Sequence, residues 1–98
     1  MEPVRFAVAV DVMPKEGISD PQGQTIERAL PSLGFDDVSD VRVGKRIELV
    51  VEAPDPETAE AIVRAACVRF LANPVIEDFH VSLRAEVRPA LAQGPGPA

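Results

Sequence analysis

Val4, Phe6, Val8, Val10 and Val12 alternate with Arg5, Ala7, Ala9 and Asp11. Period two, sustained by β-branched side chains, predicts a strand with one buried face. Pro14 and Gly17 then punctuate a loop over residues 13–19. Asp20-Pro21 opens a helix, because Asp caps the free amides and proline at the first helical position loses no needed donor. Ile26, Ala29, Leu30 and Leu33 recur at helical spacing and predict its buried stripe. Pro31 removes the amide that would bond Glu27, so a kink or loosened last turn is expected there, with Gly34 ending the helix.

Val41, Val43, Ile47, Leu49 and Val51 share odd numbering through Gly44-Lys45-Arg46. One long strand bent at Gly44 preserves that parity, and so does a hairpin with a three-residue loop over residues 44–46. A two-residue Gly44-Lys45 hairpin spoils it by setting Val41 against Glu48. The single strand is the favoured reading. Asp55-Pro56 repeats the cap-then-proline device and opens the strongest helix. Its apolar stripe is Ala59, Ile62, Val63, Ala66, Cys67, Phe70 and Leu71. Asn73-Pro74 stops it, since the residue before proline is pushed out of the helical region. Phe79, Val81, Leu83, Ala85 and Val87 alternate with polar positions in a last strand.

The order is strand, helix, long strand, helix, strand. It predicts an α+β fold, a small antiparallel sheet with two helices, as a single domain over residues 1–87. The hairpin reading gives the alternative, a ferredoxin-like βαββαβ fold. Residues 88–98, with two Gly-Pro steps among small residues, predict a disordered tail.

The chain has 98 residues, four Phe, no Trp and no Tyr. A chain this short with few bulky aromatics has a thin core and gains from association, so a homodimer or homotetramer is expected. Ten Lys and Arg against 16 Asp and Glu give a net charge of −6, which argues against nucleic acid and anionic membranes as partners. Cys67 is the only cysteine, which excludes an intramolecular disulfide framework and a cysteine-rich zinc site. No apolar run spans a membrane and no signal segment is visible, so a cytoplasmic location is expected.

Candidate chemistry is sparse. Gly44-Lys45 superficially suggests a phosphate loop, but Ser39 stands where glycine is needed and Arg46 where Ser or Thr is needed. His80 alternates away from the apolar face and has no second histidine with which to hold a metal. Cys67 lies late in a helix, where its thiol is an inert core group. Glu77 and Asp78, adjacent on a strand, diverge to opposite faces and make no acid/base pair. Gly23 weakens a first helical turn, which suits close backbone approach by a neighbouring loop, another chain or a ligand.

Four segments carry a family likeness: Ser19-Asp20-Pro21-Gln22-Gly23, Leu33-Gly34-Phe35, Asp40-Val41-Arg42-Val43-Gly44-Lys45, and residues 71–79, which read LANPVIEDF. In this order and spacing they resemble the PurS subunit family of phosphoribosylformylglycinamidine synthase, over roughly residues 4–87. That resemblance implies a small non-catalytic subunit of a glutamine-dependent, ATP-consuming ligase of purine biosynthesis. It implies a PurL-type synthetase and a PurQ-type glutaminase as partners, bridged so that ammonia passes between them. No cofactor is expected in this chain; ATP and Mg2+ belong to the complex. The residues expected at subunit contacts are Asp20, Gly23, Gly44, Lys45, Asn73, Glu77 and Asp78, with no catalytic or metal-binding residue. The reading from another class is a ferredoxin-like regulatory module that binds a small ligand.

Overall fold

A computed structural model of the chain describes residues 4–87; the tail expected over residues 88–98 lies outside the described residues. Strand β1 (Val4–Pro14) leads to helix α1 (Pro21–Ala29), strand β2 (Lys45–Ala53), helix α2 (Pro56–Ala66) and strand β3 (Glu77–Val87). A 3-10 turn (Pro31–Leu33) follows α1, and a π-helical turn (Cys67–Leu71) follows α2. The strands form an antiparallel sheet in the order β2-β1-β3.

The valines of β1 set the core. Phe6, Val8, Val10 and Val12 are buried, opposite Val51, Leu49, Ile47 and Lys45 of β2. Ala59, Val63 and Cys67 bring α2 down onto this face. Each fully buried valine contributes about 1.5–3 kcal/mol. Both Asp-Pro pairs act as the sequence suggests. Asp20 Oδ1 accepts the Gly23 amide at 3.1 Å, and Asp55 Oδ1 accepts the Thr58 amide at 2.7 Å. The hydrogen bonds from the Thr58 amide, and secondarily its hydroxyl, hold the Asp55 carboxyl below its usual pKa. A depressed carboxylate stabilises the fold above its unfolded pKa of about 3.9 and loses that contribution as pH falls through the folded value. Melting curves of the wild type and Asp55→Ala are therefore expected to stay separated at neutral pH and to converge below about pH 4. A constant gap down to the lowest pH would contradict this.

Four expectations are corrected. The first concerns residues 41–51, which are neither one long strand nor a hairpin. The ladder starts at Lys45, opposite Val12, and residues 41–44 lie outside it. The amides of Val41 and Val43 have other partners, described below, and the hairpin strand of the ferredoxin-like alternative is absent among the described residues.

The second correction is to α1, whose stripe is not buried. This helix lies off the sheet, and Gly23 is its one buried residue. Pro31 does break the helix into a 3-10 turn, and Gly34 closes it at φ 95°. Ile26 nevertheless remains 43 % exposed, Leu33 68 % and Phe35 56 %.

The third is to α2, where the inward line runs Ala59, Val63, Cys67, Leu71 in steps of four. The π-type bond from the Ala72 amide to the Cys67 carbonyl, 3.0 Å, widens the last turn. Ile62 stays on the flank and Phe70 is turned outward, 87 % exposed.

The fourth is in β3, where a bulge breaks the alternation. Val8 faces Leu83 but Ala7 faces Ala85, so Arg84 is the extra residue. Beyond it Ala85 and Val87 sit opposite Ala7 and Arg5, on the face away from α2.

Candidate functional site

The topology brings one end of each strand together: the end of β1, the start of β2 and the start of β3. Six of the seven residues expected at contacts gather there or on the adjoining helix start, and Asn73 reaches the same region through Glu77. Gly44, Lys45 and Glu77 line one cavity of about 170 Å³ with Val12, Pro14, Gln22 and Val43.

Asp20 is the hinge of this geometry. Its Oδ1 caps Gly23, while its Oδ2 accepts the Val43 amide at 2.8 Å. Glu27, two turns along α1, accepts the Val41 amide at 3.0 Å. These bonds replace the strand ladder that residues 41–43 lack. Gly23 lies between the two carboxylates, and a Cβ there would meet the Val41 carbonyl oxygen and the Asp20 carboxylate. A neighbouring loop of the same chain thus occupies the close approach that glycine permits. Gly44 has a similar reason: a Cβ would meet the Val12 carbonyl and Met13 Sδ.

Across the sheet, residues 73–78 tie β3 to the β1 end. The Asn73 amide donates to Glu77 Oε1 at 2.7 Å, and Asn73 Oδ1 accepts from Val75 at 3.1 Å. Lys15 donates its amide to the Ile76 carbonyl at 2.9 Å and its ammonium to Asp78 at 2.8 Å. Glu77 and Asp78 thus have separate partners, as their divergence on a strand requires. The Arg42 guanidinium donates to the Pro14 carbonyl. Residues missed from the sequence are Glu27, Lys15 and Arg42. Glu27 left one signal: Asp20, Gly23 and Glu27 fall on a single face at spacings of three and four.

The face of the sheet away from α2 carries a second polar group. Arg46 bridges Asp11 at 3.1 Å and Glu48 at 3.0 Å, and His80 stands beside Asp11 in register. The hydrogen bonds to Glu48 and Asp11 raise the Arg46 pKa further. These groups are exposed and solvated, so the pair interactions contribute little to stability.

Burial pushes the Cys67 thiol up, against a smaller opposing effect of Arg64, so the thiolate is disfavoured. Among the described residues no three His, Cys, Asp or Glu side chains converge on a cation position. Gly44 packs against Val12 and Met13 rather than opening into a cradle. Lys15, Arg42 and Arg46 already have partners. No helix among the described residues is long and apolar enough to cross a membrane. The arrangement offers shape, main chain and exposed apolar groups. Beyond the α1 residues above, Phe70 and Val75 stand 87 % and 78 % exposed.

The family model described as PurS, phosphoribosylformylglycinamidine (FGAM) synthase, matches residues 7–85. The PurS subunit of Bacillus subtilis is 41 % identical over 88 residues, covering 90 % of this chain and 99 % of that relative. The PurS subunit of Thermotoga maritima is 43 % identical over 76 residues, 78 % of this chain and 93 % of the relative. Among solved structures, the purS subunit from Thermotoga maritima superposes with a TM-score of 0.78 at 39 % identity, covering 86 % of this chain and 97 % of that one. A chain in the structure of PurLQS from Thermotoga maritima superposes at 0.75 with 41 % identity, covering 82 % and 98 %.

Proposed function

Because this chain belongs to the PurS family of phosphoribosylformylglycinamidine synthase, we propose that it works as the small subunit of that ligase in purine biosynthesis. Its partners are a PurL-type synthetase and a PurQ-type glutaminase, as the PurLQS assembly of the relative indicates. It holds the two larger subunits together so that ammonia released by one reaches the other. Ammonia set free in bulk water is protonated and diluted, whereas tethered sites keep its local concentration high. ATP and Mg2+ belong to the synthetase, and this chain contributes surface rather than reacting atoms. A free, buried cysteine suits a reducing compartment, and the reading places the assembly in the cytoplasm.

The observation that carries the reading is the surface itself. Leu33, Phe35, Phe70 and Val75 are large apolar groups that the fold leaves outside its core. Such groups are ones that a partner protein can cover. A partly open three-stranded sheet also leaves β2 and β3 as edges that a second copy can pair. Mixing the purified chain with a PurL-type and a PurQ-type protein is expected to give one co-eluting ternary species on gel filtration. Three independent peaks, with glutamine and nucleotide present, would overturn the assignment.

A further inference from the structure

We propose that α1, its 3-10 turn and the return segment to Val43 form a latched lobe that opens as one unit while the sheet and α2 stay folded. The lobe is internally bonded. Asp20 and Glu27 hold the Val43 and Val41 amides at 2.8 and 3.0 Å, and Gly23 packs on the Val41 carbonyl. Among the described residues its attachment to the sheet is slight by comparison. The Arg42 guanidinium reaches the Pro14 carbonyl. The seam holds the 170 Å³ cavity, with Gln22 and Val43 on the lobe side and Val12, Pro14, Lys45 and Glu77 on the sheet side. The helix lies off the sheet and buries no large side chain.

Segments with few buried apolar contacts open at lower free energy than the core, in contiguous cooperative units. The central strand β1, bonded on both edges and carrying Val8, Val10 and Val12, sits at the opposite extreme. The latch sets the cooperativity. Breaking either carboxylate bond frees the return segment, and a freed return segment uncovers Gly23 and the helix start. A short helix off the sheet is marginal by itself, so it opens with the segment.

Native-state hydrogen exchange on the full chain tests this. The amides of Gln24, Leu30, Val41 and Val43 are expected to share one opening free energy, below that of Val8 and Val10. Asp20→Asn keeps an oxygen for the Gly23 cap, but its amide group cannot accept from Val43. Glu27→Ala removes the Val41 acceptor while raising intrinsic helix propensity. Each variant is expected to speed all four lobe amides together by about tenfold or more, the scale of one hydrogen bond to a charged group, while Val8 and Val10 keep a distinctly higher opening free energy. Acceleration confined to the one amide that lost its acceptor would overturn the proposal. So would lobe amides that exchange only in the same global step as β1.

Discussion

Gly23→Val is expected to lower the melting temperature by about 10–20 °C, the scale of 2–3 kcal/mol of overpacking in a domain of this size. The added Cβ lands on the Val41 carbonyl oxygen and the Asp20 carboxylate. The first belongs to the main chain of the return segment. The second is committed to the Gly23 and Val43 amides. Neither can yield without loss of those hydrogen bonds. Helix propensity alone argues the other way, since valine is the better helix former by a few tenths of a kcal/mol. A melting temperature that holds or rises would therefore show that the return segment does not press on α1.

Val63→Asp is expected to be more damaging, costing about 3–5 kcal/mol, the scale of an uncompensated buried charge. Val63 is 2 % exposed and lies at the centre of the α2 face, among Ala59, Cys67 and the β1 valines. The described residues carry no buried polar or charged side chain that could pair with the new carboxylate. A domain this small has roughly 5–15 kcal/mol in total, so most of the variant is expected in the insoluble fraction. Urea unfolding of whatever remains soluble should begin well below the wild-type midpoint. An unchanged midpoint would mean that α2 does not seal the sheet.

Much of the fold was legible because local signals and burial agree. Val8, Val10 and Val12 are buried as their alternation predicts, although Ala9 on the other face is buried as well. Asp20 and Asp55 cap the helices that their prolines begin. Pro31 and Gly34 end α1 where the missing amide and the left-handed turn require. The failures share a physical origin. Amphipathic spacing says which face of a helix is apolar but not what covers it, so Ile26 and Leu33 promised a core that α1 never meets. Parity through Gly44 was real, yet the amides of Val41 and Val43 satisfy themselves on side chains of α1. That alternative to the ladder has no periodic signature. Arg84 sits in an unbroken alternating run, and only pairing with β1 reveals the bulge. At the candidate site, Asp20, Gly23, Gly44, Lys45, Glu77 and Asp78 were visible one by one as caps, glycines and charges. Their convergence comes from the sheet order, and Glu27 and Lys15 enter through contacts that span 14 and 63 residues of chain.

Outward-facing apolar groups and, among the described residues, two sheet edges without a neighbouring strand describe a molecule that neighbours can complete. The most direct measurement is glutamine-dependent formation of formylglycinamidine ribonucleotide by purified PurL-type and PurQ-type proteins, with and without this chain. Omission is expected to abolish the glutamine-dependent rate, leave turnover supported by added ammonia intact, and release no product from this chain alone. Undiminished glutamine-dependent synthesis in its absence would contradict the account.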